Sequence, residues 1–503
     1  MQVHDLFEFQ TRNSPFAVAL IQGTRVWTYR DAKHWSDALL DRMVDQGVAR
    51  GHHVGVMLGN TAVHLMAVLA LSRIGAVAIS LSPSKANASA LTALHHLDLK
   101  HLLLPAGAKA HEGVNAVQIP TEDAQWAPPT TWGAADAVST DSSVPRQGVP
   151  SSAVQVQASN LDEDSTFKIA LSSGATGQQK AVPWTHQQFL MQFHLQRNVR
   201  AFGSGVRLLP LLGFEATVGV DACIRQLCAG GTVVTLPSPT LERLCATIDA
   251  HAVTHLLSTP GIISKYIRKL PVGQQRFPQL EGLRVTGGAV TTALRERLAS
   301  TVCDNISVDY GASEVGTIAV GTRVTYRKSD RCAGQVAPWI QAEAVDDAGQ
   351  PLAAGMPGRL RFRHQHLPTN YVDGTPTLQE GWFYPGDEGI VDSDGLLFIE
   401  SRSDDLMNIG GVKVLPAEIE AQVLAIGGVT DACAYAVPTA SGVNAIIVAV
   451  EAPPEFNEAD IMPALRERLG RKCPAKVIRV AQLPRNEMGK VLRRRLIAAT
   501  KVS

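Results

Sequence analysis

The 503-residue sequence has no formal net charge at pH 7, since Lys plus Arg and Asp plus Glu both number 46. Balanced charge gives no support for general binding to nucleic acid or to an anionic membrane surface. The sequence also lacks a long uninterrupted apolar run. Its most apolar stretch, 65–81, is broken by Ser72, Arg73 and Gly75 and is too short and polar to cross a membrane. We therefore expect no nucleic-acid partner and no membrane span.

Cysteine is sparse, and no two of the seven cysteines have the Cys-x-x-Cys spacing. An odd, scattered set predicts free or buried thiols rather than a disulfide framework. The first residues lack the basic and then apolar pattern of a secretory signal. These features together predict a cytoplasmic location. Repeats of fixed period and coiled-coil heptads are also absent.

The length exceeds that of one ordinary domain. Strand and helix patterns alternate over residues 1–120 and again over 205–330, which predicts an α/β fold with parallel sheets covered on both faces. These patterns include a helix capped by Asp31, a helix over 62–74 and a strand over 255–258. Short strands separated by Gly, Pro and Asp over 333–394 predict a small antiparallel sheet or barrel. The last hundred residues predict a compact α+β unit. The low-periodicity stretch 120–163 predicts a long surface excursion.

We place the domain boundary after residue 403, where Gly- and Asp-rich turns precede a charged joint. The predicted architecture is a large N-terminal α/β domain of parallel-rich sheets plus a small antiparallel barrel, residues 1–403. A small α+β C-terminal domain follows, residues 404–503.

Residues 172–180, Ser-Ser-Gly-Ala-Thr-Gly-Gln-Gln-Lys, form a glycine- and hydroxyl-rich stretch closed by a lysine. The apolar run 167–171 before it predicts a buried strand. Glycines allow backbone N–H groups to approach a ligand closely, and the lysine adds positive charge, which suits a polyphosphate. The P-loop pattern is different, because it needs Gly-Lys followed by Ser or Thr. Taken alone, the stretch could equally be a polar hairpin between two strands.

Two further motifs contain carboxylates near aromatic residues. In the segment 308–314, Tyr310 offers a face on which adenine could stack, and Glu314 offers an oxygen ligand for Mg²⁺. The alternative is an ordinary strand-to-helix turn. In the segment 381–387, Asp387 suits the hydroxyls of a ribose, or is simply a turn aspartate.

The last two motifs lie near the C-terminus. A charged joint at 402–405 precedes a Gly-Gly turn and a helix opened by Pro416 and Glu418, which alone could be a linker. The segment 483–490 ends in Gly-Lys, and Lys490 could deliver a positive charge into a distant site. A basic cluster of this kind is more often a solvated face.

These five motifs, in this order, resemble those of the adenylate-forming superfamily, which includes acyl-CoA synthetases, peptide-synthetase adenylation domains and luciferases. The resemblance covers nearly the whole chain, and its most specific parts are 404–420 and 483–490. The glycine-rich stretch departs from the family pattern at Ala175, Gln179 and Ala181, where Thr or Ser, Pro and Gly are usual. The retained hydroxyls and lysine of that stretch argue against an inactive enzyme.

The resemblance implies roles for individual residues. The ATP-binding residues that it implies are Ser172, Ser173, Gly174, Thr176, Gly177, Lys180, Gly287, Gly288, Ala289, Tyr310, Gly311, Ser313, Asp387 and Arg402. The catalytic residues that it implies are Lys490, Thr176, Lys180 and Glu314, of which Glu314 also holds Mg²⁺.

The resemblance further implies that the C-terminal domain is mobile, with Asp404 as its hinge. Gly410 and Gly411 would then line a tunnel for the thiol arm of CoA or of a carrier protein's phosphopantetheine.

The family's acid-pocket segment corresponds here to residues 209–218. The pocket residues that the resemblance implies are His186, Phe214, Glu215, Val218 and Gly219. Glu215 stands where amino-acid-activating domains have an Asp that reads the α-amino group. The alternative is a glutamate stabilised by the dipole of the following helix.

The implied function is ATP-dependent activation of a carboxylic acid as acyl-AMP, followed by transfer to a thiol, most simply that of CoA. One alternative is a stand-alone adenylation enzyme that loads an acyl or amino acid onto a carrier protein in trans. A third is a degenerate member that only binds nucleotide. The sequence leaves open whether the acid is aryl, fatty or amino.

Overall fold

The computed structural model describes most of the chain. The described residues are 1–83, 95–108, 114–120, 162–172, 180–197, 199–271, 273–402, 407–409, 412–438, 444–485 and 491–500. They form two compact units. Unit 1 comprises Met1–Gly174, Gln178–Leu256 and His366–Thr377, and unit 2 comprises Ala175–Gly177, Leu257–Gln365 and Leu378–Ser503. The predicted boundary at 403/404 and the predicted excursion at 120–163 lie almost wholly outside the described residues, and both stay predictions.

Unit 1 is built from helices and mostly parallel strands. Its helices are α1 (Val3–Asn13), α2 (Tyr29–Asp45), α3 (Ala62–Ile74), α4 (His186–Gln196), α5 (Thr217–Cys228) and α6 (Leu241–Ala250). Its strands are β1 (Val18–Gln22), β2 (Arg25–Thr28), β3 (His53–Val56), β4 (Val77–Ser80), β5 (Leu99–Pro105), β6 (Asn115–Ile119), β7 (Thr166–Leu171), β8 (Ala181–Thr185), β9 (Arg207–Pro210) and β10 (Thr232–Thr235). The chain leaves unit 1 within β11 (His255–Ser258).

Six of these strands form one sheet in the order β6-β5-β3-β4-β7-β8. The pairs from β6 to β7 are parallel, and β8 returns antiparallel to β7. The remaining four of these ten strands also pair with one another. Strand β10 pairs in parallel with both β1 and β9, and β2 forms a hairpin with β1. Parallel strands with intervening helices confirm the predicted α/β class, since such sheets need helices to cover them.

Local capping signals set the helix starts in this unit. Helix α3 has the predicted bounds because the Thr61 side chain accepts a hydrogen bond from the backbone N–H of His64. For α2 we expected Asp31 to be the cap, and that prediction is wrong. Thr28 is the cap, and Asp31 is the third helical residue, whose carboxylate accepts from the backbone N–H of Thr28. A Thr and an Asp three residues apart satisfy two donors reciprocally, which fixes the earlier residue as the start.

The first part of unit 2 is dominated by antiparallel strands. Its helices are α7 (Pro260–Ile267), α8 (Thr292–Thr301) and α9 (Arg323–Lys328). Its strands are β12 (Gly282–Thr286), β13 (Ile306–Ala312), β14 (Gly316–Gly321), β15 (Gly334–Val336), β16 (Gln341–Val345), β17 (Gly358–Arg363), β18 (Asp387–Val391) and β19 (Leu396–Arg402). They lie in the order β12-β13-β14-β15-β19-β18-β17-β16, in which only the β12–β13 pair is parallel. The antiparallel prediction for 333–394 is confirmed.

The C-terminal part of unit 2 has its own sheet and its own core. Its helices are α10 (Pro416–Leu424), α11 (Glu458–Leu469) and α12 (Arg493–Ala499), and its strands are β20 (Met407–Ile409), β21 (Val412–Val414), β22 (Asp431–Pro438), β23 (Asn444–Glu451) and β24 (Lys476–Val480). Strand β23 pairs antiparallel with β22 and parallel with β24. Alternate residues of β23 serve two cores, with Val448 packed among Ile419 and Leu465, and Ile447 packed beside Leu496. The α+β prediction is therefore confirmed.

Two expectations about absent features can be checked on this fold. Among the residues that the structure describes, no helix is long and apolar enough to cross a membrane. All seven cysteines are free, as predicted, and most are buried. Burial raises the pKa of the Cys228 thiol to about 12, so this thiol stays protonated and unreactive at neutral pH.

Candidate active site

Two of the motifs assigned to the nucleotide meet in unit 2. Tyr310 lies on β13, and its hydroxyl donates a hydrogen bond to Oδ2 of Asp387, the first residue of β18. The ring of Phe362 packs 6.0 Å from the Tyr310 ring. Asp387 also faces Arg402 across the β18–β19 ladder, as its Cα partner. The fold thus brings together three residues that the resemblance assigned to ATP, although they lie far apart in the sequence.

The segment 287–289 follows directly from strand β12. Gly287 has φ of +81°, a conformation that glycine adopts without strain. Gly288 and Ala289 are exposed, so the backbone after the strand is accessible. The arrangement provides open peptide groups next to a strand end, as the nucleotide assignment needs.

The motif around Glu314 forms a tight hairpin between β13 and β14, so the alternative prediction of a strand-to-helix turn is wrong. A Cβ on Gly311 would lie 2.2 Å from the carbonyl oxygen of Gly316 on the opposite strand. Gly311 is therefore required by the close approach of the chain to itself. Glu314 and Ser313 occupy the turn that this approach makes possible, and Glu314 is buried.

A Mg²⁺ ion is compatible with Glu314. A carboxylate oxygen is the type of ligand that Mg²⁺ prefers, and the ion usually takes only one or two carboxylates from a protein, with phosphates and water completing its shell. Among the described residues, no group of three or more His, Cys, Asp or Glu side chains is arranged to hold a metal.

The ends of the glycine-rich stretch are fixed in unit 1. The backbone N–H of Ser172 donates to the carbonyl of Lys180 at 2.8 Å, and the N–H of Lys180 donates to the Ser172 hydroxyl at 3.2 Å. The ammonium of Lys180 lies 4.7 Å from the centre of the Tyr371 ring, a cation–π contact. Strands β7 and β8, which flank the stretch in the sequence, are antiparallel neighbours.

Several predicted site residues lie outside the described residues. They are Ser173, Gly174, Thr176, Gly177, Asp404, Gly410, Gly411 and Lys490. Their roles stay predictions, as does the role of the Arg402 side chain, for which the structure gives the backbone position alone.

The segment assigned to the acid pocket leads into helix α5 in unit 1. Phe214 is fully buried, and its backbone N–H donates to Oδ1 of Asn60 at 2.8 Å. Glu215 precedes the helix cap, Ala216, by one residue, and its carboxylate lies against Gly213. Its two alternative roles, in reading an amine and beside the helix dipole, both stay predictions. Val218 and Gly219 lie in the first turn of the helix.

His186, also assigned to the acid pocket, has the contacts of a core histidine. Its Nδ1 accepts a hydrogen bond from the backbone N–H of Val3 at 3.2 Å, and its ring packs 5.2 Å from that of Phe167. Burial lowers the pKa of His186 to about 3, so the imidazole is neutral and serves as an acceptor that fixes helix α1. Its place in an acid pocket stays a prediction that these contacts do not favour.

Comparison with known proteins identifies the family. The AMP-binding enzyme family matches residues 7–372, and the AMP-binding enzyme C-terminal domain matches residues 418–490. The chain belongs to the AMP-binding enzyme family. Membership confirms the predicted resemblance to adenylate-forming enzymes and the predicted class of activity, an AMP-forming acid–thiol ligase.

Similar individual proteins point the same way. A 3-hydroxybenzoate–CoA/4-hydroxybenzoate–CoA ligase of Thauera aromatica is 25% identical over 492 residues, which cover 95% of this chain and 93% of the relative. A fatty acid–(acyl-carrier-protein) ligase, ScoC, of Streptomyces coeruleorubidus is 28% identical over 351 residues, covering 65% of this chain and 66% of the relative. The structure of o-succinylbenzoate CoA synthetase (MenE) of Bacillus subtilis with its acyl-adenylate superimposes with a TM-score of 0.81 at 19% identity, covering 99% of each chain. This last similarity shows the fold.

A buried ion cluster in this AMP-binding enzyme was not predicted from the sequence. Lys168 on β7 pairs with Asp221 on α5, and Asp221 also accepts from Arg225 at 3.4 Å. Both cations lie over the ring of Phe189, with Arg225 at 4.6 Å and Lys168 at 5.6 Å. A signal was present in the sequence, because Lys168 interrupts the apolar run 167–171 that we assigned to a buried strand.

Burial dominates the electrostatics of this cluster. Desolvation lowers the pKa of Lys168 from 10.5 to about 8, and the neighbouring carboxylate of Asp221 opposes that shift. An ammonium buried in this way is stable only with its carboxylate partner. The cluster therefore ties strand β7, which leads into the glycine-rich stretch, to helix α5, which follows the acid-pocket segment.

Proposed function

We propose that this protein is an ATP-dependent carboxylic acid–CoA ligase that forms an acyl-AMP intermediate. The observation that carries the proposal is the contact between Tyr310 and Asp387, with Arg402 opposite Asp387 in the ladder. It brings together an aromatic ring, a carboxylate and the backbone of a basic residue. A nucleoside needs a stacking face and partners for its ribose hydroxyls, so this contact supports the proposal. Family membership and CoA-ligase relatives support the same assignment.

In the proposed first half-reaction, the acid's carboxylate oxygen attacks the α-phosphorus of ATP and pyrophosphate leaves. Both reactants are anions, so positive charge must offset their repulsion. Glu314 would hold Mg²⁺, Lys180 would lie near the phosphates, and Lys490 would approach the reacting phosphorus. Charge aimed at the transition state is usually the largest catalytic contribution.

In the proposed second half-reaction, a thiol attacks the acyl carbon and AMP leaves. Rotation about Asp404 would withdraw Lys490 and bring Gly410 and Gly411 to the thiol's path. The absence of side chains on two successive glycines suits a narrow passage. A domain movement of this type lets one site serve two reactions in turn.

The test separates the two half-reactions. Acid-dependent exchange of radiolabelled pyrophosphate into ATP reports adenylation, and mass spectrometry of the acyl-CoA product reports transfer, over a panel of aryl, fatty and amino acids. We expect exchange with at least one acid and a CoA thioester of the same acid. ATP consumption that does not depend on CoA would count against CoA as the acceptor. Calorimetric ATP binding without exchange for any acid would instead support a protein that only binds nucleotide.

A carrier protein is the second candidate acceptor, since the relative ScoC acts on an acyl-carrier protein. If the substrate of that carrier-loading activity is an amino acid, Glu215 would bind the amino group of the substrate. Replacing CoA by a phosphopantetheinylated carrier protein in the same assay decides between the acceptors. Glu215→Gln should then weaken exchange with amine-bearing acids more than with plain acids, and an unchanged preference would exclude the amine-reading role.

A further inference from the structure

A small cavity in unit 1 adjoins the acid-pocket segment, and its mainly apolar wall includes several polar side chains. Its volume is about 20 Å³, room for roughly one water molecule or one hydroxyl group. Five of its lining side chains are polar or charged: Ser80, Lys168, Glu215, Thr217 and Asp221. They come from β4, from β7, from the residues before α5 and from α5 itself. The rest of the wall is aliphatic or aromatic.

The charged groups in this wall and directly behind it balance. Lys168 and Asp221 are 6% and 8% exposed, and Asp221 pairs with both Lys168 and Arg225. Glu215 adds a second carboxylate to the wall. The second cation is Arg225, which pairs with Asp221 but does not line the cavity, so two cations lie near two anions. A balanced site offers no net attraction to a charged substituent, which would itself have to be desolvated.

Two neighbouring helices, α3 and α4, contribute uncharged groups. Ser80 is bonded through its hydroxyl to Nε2 of His64 on α3 at 2.9 Å. Burial keeps His64 neutral, since it lowers the pKa of this imidazole to about 3. From α4, Phe189 and Gln196 face the cations. The charged groups in and behind the wall therefore offset one another, and the polar groups from α3 and α4 are uncharged.

A hydroxyl group matches this wall better than an alkyl group or an ion. It can donate to the carboxylates and accept from the ammonium or from another hydroxyl. An alkyl group would cover the same polar atoms without replacing their hydrogen bonds, which is costly in a buried site. Size agrees with this, because the volume takes one oxygen-sized group and no chain.

We propose that this cavity receives a hydroxyl substituent of the carboxylic acid, so that the substrate class is hydroxylated acids. The inference rests on the proposed function and on 209–218 as the acid-pocket segment. Ser80 and Thr217 are the specificity-determining residues. The ion pair of Lys168 and Asp221 forms a polar part of the wall that disfavours alkyl groups.

The experiment compares matched acids that differ only by a hydroxyl, benzoate against 3- and 4-hydroxybenzoate and hexanoate against 6-hydroxyhexanoate. The readout is kcat/KM in pyrophosphate exchange, which does not depend on the thiol acceptor. We expect the wild-type protein to prefer the hydroxylated member of at least one pair by about tenfold or more. Equal use of both members of every pair would overturn the proposal.

Substitutions in the cavity wall identify the residues that cause the preference for hydroxylated acids. Ser80→Ala and Thr217→Val should each lower the hydroxylated-to-plain ratio by roughly fivefold, while Thr217→Ser, which keeps the hydroxyl, should retain it. Ser36→Ala is the matched control, because it removes another buried serine hydroxyl of unit 1, which donates to the Met66 carbonyl at 3.2 Å and does not line the cavity. If Ser36→Ala changes the hydroxylated-to-plain ratio of kcat/KM as much as Ser80→Ala does, the cavity holds water alone. The same conclusion follows if neither substitution changes this ratio.

Failure of the proposed function is recognised separately. If no acid supports exchange, calorimetric titration of the same acid pairs into the protein with ATP still measures the preference. Stronger binding of the hydroxylated acid, lost in Thr217→Val, would uphold the inference without the activity. Equal binding of both members would refute it.

Discussion

The substitution Asp221→Asn should destabilise the protein strongly and in a pH-dependent manner. It removes the carboxylate that pairs with both Lys168 and Arg225, and leaves two buried cations facing a neutral amide. Removing one member of a buried ion pair typically costs about 3–5 kcal/mol of folding free energy. We expect a loss of this size at about pH 7.

The pH dependence follows from the pKa of Lys168. Burial lowers this pKa from 10.5 to about 8. The unfolded chain therefore binds more protons than the native one between these values, and the contribution of this group to the free energy of unfolding rises with pH across that window. The difference corresponds to roughly 3 kcal/mol at about 1.36 kcal/mol per pH unit. Without Asp221 the pKa of Lys168 should fall further, because the carboxylate opposed the effect of burial.

The penalty of Asp221→Asn should consequently shrink as the pH rises from the lowered pKa of the variant through about 8, and it should stay constant at higher pH, where Lys168 is neutral in both native proteins. Urea unfolding followed by tryptophan fluorescence, for wild type and variant at several pH values, gives the difference directly. Asp98→Asn is the control, since Asp98 pairs with Lys100 at 2.8 Å in an exposed position, where ion pairs contribute little. A penalty below about 1 kcal/mol at neutral pH, or one that does not change with pH, would show that the cluster is solvated.

Three more predictions test other parts of the site. Gly311→Ala should destabilise the protein by about 1–3 kcal/mol or more, because its Cβ would meet a carbonyl oxygen across the hairpin. Thermal unfolding measures the loss, with Gly205→Ala as the control, because a Cβ at Gly205 meets nothing within 4 Å. Equal losses in the two variants would contradict this prediction. Tyr310→Phe removes the donor to Asp387 and should weaken ATP binding by roughly three- to tenfold with the fold intact, so unchanged affinity in calorimetry would remove this contact from the nucleotide site. Lys490→Ala should slow adenylation by about 10²–10³, yet leave thioester formation from supplied acyl-AMP nearly unchanged. Equal slowing of both half-reactions would refute the proposed domain alternation.

Local patterns predicted many elements well. Helix Ala62–Ile74 and strand His255–Ser258 have the predicted bounds. A helix cap and a stretch with helical or strand periodicity each depend on residues that are close together in the sequence. The local sequence therefore contains all the information needed to predict such an element. The start of α2 was misassigned because two candidate caps, Thr28 and Asp31, lie in the same turn, and the choice depends on how they bond to each other.

The turn after Tyr310 shows where local patterns fail. Ser313 and Glu314 after a strand are equally compatible with a helix start and with a hairpin. The hairpin forms because β14 pairs antiparallel with β13, and Gly311 permits the close approach. Strand pairing is a property of two segments, which the pattern of one segment cannot specify.

The sequence by itself determined the family, the order of the motifs and the chemistry that each motif can supply, because these depend on residue types at short spacings. Tertiary structure alone decided which side chains meet. Asp387 accepts from Tyr310 across 77 residues, and Lys168 pairs with Asp221 across 53. Such contacts are set by strand order, ladder register and helix packing. These depend on the free energy of the whole fold, so no window of sequence contains them.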